Sequence, residues 1–146
     1  MKCTKCGNRT ERRAVGIAID AAGRKFTRSV PADVCVSCGE SFIEANALAR
    51  AELEAAQALA DAGVVSAETF RYMREALGFT AREFGMEIDV APETISRWEN
   101  KERPLGRLAW ATLAAMVRDR LNGDERTRAA AGDAQAESTS QYGASR

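Results

Sequence analysis

Two short motifs place sulfur in the same arrangement: Cys3-Thr4-Lys5-Cys6-Gly7 and Cys35-Val36-Ser37-Cys38-Gly39. Two intervening residues let both thiolates of a pair reach one tetrahedral ion. The glycine after each pair lets the turn aim backbone N–H groups at sulfur with no Cβ in the way. Cys3, Cys6, Cys35 and Cys38 are therefore candidate ligands of one structural Zn²⁺, and Fe suits the same four sulfurs. Lys2, Lys5 and Arg9 stand near enough in the chain to offset four thiolate charges. Two disulfides or a dithiol redox pair are the alternatives. The first suits an oxidising compartment. The second expects its cysteines at a strand-to-helix junction of a βαβ unit, a pattern absent here. Four protein ligands leave no open position, so the metal is expected to staple a small segment rather than catalyse.

Composition narrows the chemistry further. The chain of 146 residues has 21 basic and 21 acidic side chains and no histidine. Ser-His-Asp and Cys-His pairs, HExxH zinc sites and imidazole proton shuttles are thereby excluded, no other acid–base pair stands out, and the protein is read as not an enzyme. Zero net charge offers no global pull toward nucleic acid. That zero is an average, however: residues 1–39 carry 8 basic and 3 acidic groups, 40–65 carry 1 and 5, 66–121 carry 9 of each, and 122–146 carry 3 and 4. The 28 alanines leave few large apolar side chains for a core. No stretch approaches the ~18–20 apolar residues of a spanning helix, and no signal peptide is apparent. A cytoplasmic, bacterial setting without a membrane partner is expected, with the protein on the nucleoid when bound to DNA.

The elements that must position these groups follow from periodicity. Val15, Ile17 and Ile19 alternate with Gly16 and Ala18, as a strand requires. Phe26 and Val30 anchor a partner strand across Ala21-Ala22-Gly23, and Pro31 is expected to end that strand before Cys35. Residues 1–40 thus read as a zinc-bound β-hairpin with a cysteine pair at each end. Residues 41–65 form a helical connector, rich in alanine and free of proline and glycine to residue 62. Its Phe42, Ile43, Leu48, Leu53 and Leu59 make no clean stripe, so they name no packing partner. Residues 66–121 read as four helices. Ser66 caps the first, which buries Phe70, Met73 and Leu77 and ends at Gly78, and Thr80-Ala81-Arg82-Glu83 is a capping box for the second. Pro92 sits in the first turn of the third, and residues 105–121 supply the fourth. Residues 122–146, with Tyr142 as their one large apolar residue beyond the helix, read as a disordered tail. The fold class is α+β.

Within residues 81–100, Phe84 and Ile88 face inward from one helix and Ile95 and Trp98 from the next. Gly85 is small where the helices cross, Asp89 takes a positive-φ turn position and Val90 plugs the turn, as two helices packed near perpendicular require. The second of these helices then presents its N-terminal end to a major groove. Glu93, Thr94 and Arg97 are candidate base-contacting residues, with Arg97 suited to guanine O6 and N7. Arg82, Ser96, Lys101, Arg103 and Arg107 are candidate backbone contacts. A small helical bundle with a solvated charged face is the alternative, and the neutral charge of 66–121 and the acidic Glu93 favour it.

Residues 66–110 resemble a helix-turn-helix domain of the Xre class, the phage-repressor type, most clearly at Thr94-Ile95-Ser96-Arg97-Trp98-Glu99-Asn100 and Arg103-Pro104. Together with Met1-Lys2-Cys3…Cys6-Gly7 and Cys38-Gly39-Glu40, residues 1 to about 115 resemble the MqsA-type antitoxins with a YgiT-type zinc finger. The resemblance implies a zinc domain that grips a small ribonuclease-type toxin. It also implies a lambda-repressor-like domain that dimerises and binds a palindromic double-stranded operator, so that the pair represses its own operon. By position, it makes Cys3, Cys6, Cys35 and Cys38 the zinc ligands and Arg97 a base reader. Glu93 stands where the MqsA-type sequence has a base-reading asparagine, which implies a different operator. A stand-alone regulator without a toxin, or a protein-interaction module, is the other reading.

Overall fold

The structure, a computed structural model, describes the backbone of residues 1–136 and the side chains of residues 1–123. β1 (Thr10–Ala21) and β2 (Arg24–Cys35) form a long antiparallel hairpin in which Ala21 pairs with Arg24 and Thr10 with Cys35. Ala22 and Gly23 both take positive φ, 52° and 83°. That is the handedness a two-residue loop needs to match strand twist. Val15, Ile17 and Ile19 lie on the inner face as their alternation requires, and each strand runs on into a cysteine pair.

Two expectations change here. Pro31 does not end β2; it pairs with Ala14 and the strand continues to Cys35. The third strand, β3 (Ser41–Ile43), bonds only to residues 32–34, so the missing N–H of Pro31 interrupts none of that ladder. β3 itself occupies residues assigned above to the helical connector. Phe42 and the β-branched Ile43 prefer a pleated surface, and the helix starts after them. The sheet order is β1-β2-β3.

Helix α1 (Ala45–Asp61) carries two packing faces. Ala51, Ala55 and Leu59 bury against Ile19, Ala21 and Val30 of the hairpin. Leu53 and Ala56 join the core of the helical region. A helix that packs on two sides and uses mostly alanine leaves no single stripe in its sequence, which explains the diffuse pattern.

Four more helices follow: α2 (Ala67–Ala76), α3 (Ala81–Ile88), α4 (Pro92–Glu99) and α5 (Arg107–Ala136). The expected caps form. Ser66 Oγ accepts from Thr69 N at 3.1 Å, and Thr80 and Glu83 exchange both bonds of the capping box at 3.0 and 2.9 Å. Phe70, Met73, Phe84, Ile95, Leu113 and Val117 are fully buried at the centre. α5 begins at Arg107 and continues to Ala136, whereas a disordered tail was expected from residue 122. Its alanines and charged residues are good helix formers, and a helix already nucleated over 107–121 extends without a new nucleation cost. The rest of that tail, 137–146, lies outside the described residues. Among the described residues, no helix is long and apolar enough to cross a membrane.

Candidate metal centre and nucleic-acid interface

The hairpin ends bring all four sulfurs within 4.8 Å of one another. Cys3 and Cys38 Sγ lie 3.7 Å apart and Cys6 and Cys35 Sγ 3.4 Å. Four sulfurs on one ion at ~2.3 Å would stand about 3.8 Å apart, so the donor set fits a tetrahedral cation with small adjustments. The two cysteine turns are built alike. Cys3 N donates to Asn8 O and Cys35 N to Glu40 O, both at 2.8 Å, while Gly7 N and Gly39 N return to the carbonyls of Cys3 and Cys35. Gly7 and Gly39 adopt φ of 80° and 78°, which other residues seldom take. The turns aim Lys5 N at Cys3 Sγ (3.3 Å), and Ser37 N and Cys38 N at Cys35 Sγ (both 3.4 Å).

These donors set the thiol acidities. The backbone N–H and carboxamide of Asn8, with help from Cys35, hold the Cys6 thiol down at about 6. Cys35 is lowered chiefly by the backbone N–H of Cys38. At Cys38 the backbone N–H of Glu40 pulls down, but desolvation and the other sulfurs outweigh it and raise the thiol to about 11. Without a cation, four thiolates at this spacing would repel, so a proton stays where it is best tolerated. Cys3, Cys6, Cys35 and Cys38 would hold a divalent ion as thiolates, its charge offsetting theirs in place of those protons. Of the cations named beside the site, Lys5 pairs with Glu40 at 3.2 Å.

The second constellation lies in α3 and α4. Asp89 takes φ 58° and ψ 50°, the left-handed turn that its sequence position suggests. Val90 N closes the turn onto Gly85 O at 2.8 Å. A Cβ on Gly85 would stand 2.3 Å from Val90 O, so the glycine is required by the turn's own carbonyl as much as by the crossing helix. Ile95 is fully buried beneath α4. Trp98 meets Phe70 edge-on at 5.9 Å, and a Cβ on Gly106 would stand 2.7 Å from its ring.

The outer side of α4 presents Glu93, Ser96 and Arg97 to solvent, with Thr94 half-buried. Arg82, at the start of α3, and Arg103 and Arg107, after α4, are also exposed. Lys101 is exposed as well, and its ammonium pairs with Glu68 at 2.5 Å, an engagement that its sequence position does not suggest.

Sequence reasoning missed the pair that fixes α4. Arg74 Nε and Nη2 donate to the two carboxylate oxygens of Glu99 at 2.7 and 2.8 Å, and Arg74 Nη1 donates to Phe79 O at 2.7 Å. Their side chains are 8% and 6% exposed. The Glu99 carboxylate raises the Arg74 pKa against the opposing effect of burial. The signal was present: Arg74 lies on the Phe70–Met73–Leu77 stripe, and Glu99 lies four residues after Ile95. A charge on each of two buried faces asks for a partner.

This geometry is that of a helix-turn-helix domain, and residues 70–114 match the helix-turn-helix family model, from within α2 to the middle of α5. The domain fits the Xre type, a family of DNA-binding transcriptional regulators rather than enzymes, and the four-cysteine cluster before it can hold a metal ion. No curated protein matches the chain.

Proposed function

We propose that the protein is a sequence-specific transcriptional repressor that binds an operator as a homodimer, with residues 66–121 on DNA and residues 1–40 held by Zn²⁺. The observation that carries this reading is the exposed row Glu93, Ser96 and Arg97 on a short helix whose far side is clamped by the buried Arg74–Glu99 pair. Thr94 and Arg97 discriminate bases with Glu93, while Arg82, Ser96, Lys101, Arg103 and Arg107 bear on phosphates. With no net basic charge, non-specific attraction is weak, and affinity depends on two half-sites engaged together. Mobility shift with the DNA upstream of its own gene, at fixed salt, tests the reading. Arg97→Ala is expected to cost about 1–3 kcal/mol at the cognate site and to relax preference there. A wild-type protein that shifts no upstream fragment overturns it.

The further assignment, antitoxin of a ribonuclease-type toxin in an autoregulated operon, rests on the resemblance at the cysteine pairs and at Thr94–Asn100. Co-expression with a short neighbouring reading frame tests it. Relief of growth arrest supports the antitoxin role, and persistent arrest leaves a stand-alone regulator. Zinc rather than iron is expected in the four-sulfur site; a red protein with thiolate-to-iron absorption overturns that choice.

A further inference from the structure

β1 is an edge strand of 12 residues whose second edge is met at its start alone, where Met1 O accepts from Thr10 N at 3.1 Å and Lys2 bridges Arg9, and among the described residues no strand pairs with the rest of it. Its middle, Ala14–Ile19, has no charge and no proline, and Val15, Ile17 and Ile19 are β-branched. Natural sheets rarely leave such an edge open. We propose that two copies of the chain pair antiparallel through β1 about a two-fold axis at Gly16, giving a continuous four-stranded core of the order β2-β1-β1-β2.

The charge pattern selects both the occupant and the register. Residues directly opposite one another share a face. On the outer face Arg12 stands opposite Asp33, and Asp20 opposite Lys25. Both pairs are close, at 3.2 and 3.5 Å, and Arg12 also donates to Glu44 through Nη2 at 2.6 Å, so a second copy's Asp20 would join a guanidinium that already holds two carboxylates. Centring the two-fold on Gly16 sets Arg12 of one copy opposite Asp20 of the other. Each end of the new interface then carries a row that alternates in sign across four strands: Lys25, Asp20, then Arg12 and Asp33 of the second copy. Between these rows Ala14 meets Ala18, small against small, and on the inner face the half-buried Val15 meets Ile17. Centring on Val15 instead sets Arg12 opposite Ala18, and centring on Ile17 sets Asp20 opposite Ala14, so both lose the charge match. Asp20 and Lys25, paired with each other, are 76% and 80% exposed, so a second copy can reach both.

This inference rests on the dimer of the reading above and sets its surface on β1, whereas the resemblance implies one in the helix-turn-helix domain. Its measurement is oligomeric state alone, so a failure to bind DNA and a failure to pair through β1 are seen separately. In the metal-loaded full chain, Gly16→Cys is expected to form a disulfide with its own copy under mild oxidation by oxidised glutathione, while the wild type, its sulfurs held by metal, does not. Asp20→Lys is expected to weaken the dimer tenfold or more in sedimentation equilibrium without altering the fold by circular dichroism. Absence of the Gly16→Cys cross-link overturns pairing through β1, and a dimer equally tight in Asp20→Lys overturns the register.

Discussion

The hairpin buries Ile19, Ala21 and Val30 against Ala51, Ala55 and Leu59, six side chains of which half are alanine. The helical region buries Phe70, Met73, Leu77, Phe84, Ile95, Leu113, Val117 and Leu121, with Phe70 edge-on to Phe84 at 5.9 Å. At ~25 cal/mol per Å² of apolar area, the first set falls well short of the second. The difference assigns different work to the four sulfurs and to the buried ion pair. Below about 40 residues a chain usually needs a metal or a cross-link to fold, and the hairpin with its cysteine turns is of that size. The helical region has a core of its own, and there Arg74 and Glu99 fix an orientation rather than a fold. Helix α1 belongs to both regions, so the comparison can be tested from either side.

The largest effect is expected at the cysteines. Removing the metal with a chelator, or Cys35→Ser, should melt the hairpin while α2 to α5 keep slow amide exchange. Such sites contribute roughly 10–16 kcal/mol when metal binds a small domain. Loss of protection throughout the chain at once would show that α1 makes the two regions one cooperative unit.

Next comes the ion pair. Glu99→Ala leaves Arg74 buried without its carboxylate and should cost about 3–5 kcal/mol in urea unfolding. Replacing both residues with apolar ones of similar size should recover most of that stability, yet DNA affinity should stay low because α4 has lost its clamp. Full recovery of binding in the double variant would refute the positioning role.

A smaller loss is expected from Gly85→Ala. The added methyl meets the Val90 carbonyl at 2.3 Å, a backbone atom that cannot swing aside. The turn between α3 and α4 must open, at about 1–3 kcal/mol. Thermal unfolding measures this, and the metal site, tied to the other region, should titrate as in the wild type.

What was legible in the sequence follows the same division. Each cysteine turn, the strand alternation, the two capping residues Ser66 and Thr80 and the Asp89 turn depend on contacts within a few residues, so spacing reveals them. The two cysteine turns meet because one hairpin, itself legible from its alternation and its short loop, joins them. Pro31, β3 and the two faces of α1 depend on what lies across the sheet or the helix. Whether a proline's missing N–H matters is decided by the neighbouring strand, and alanine fits either face equally. The extension of α5 past Leu121 was hidden because an absence of apolar residues rules out a core without ruling out a helix. Arg74 and Glu99 lie 25 residues apart, and only the fold joins them.

The smallest effect tests the seam itself. Tyr72 packs against both apolar clusters, and its hydroxyl donates to Glu52 O of α1 at 3.2 Å. Burial, with the nearby Glu52 charge, pushes its pKa up to about 12, against about 10 in an unfolded chain. A raised tyrosine pKa means that the fold favours the neutral form. Its contribution is therefore complete below about pH 10 and is lost as pH climbs toward 12. Tyr72→Phe keeps the ring and deletes the hydroxyl, so it should cost only about 1 kcal/mol at neutral pH. It should also flatten the decline of stability between pH 10 and 12. If the variant declines as steeply as the wild type, the alkaline sensitivity belongs to other groups and α1 is not held to α2 through this hydroxyl. A flattened decline with the hairpin and helical regions still melting together would mean that the aromatic ring, rather than its hydrogen bond, carries the seam.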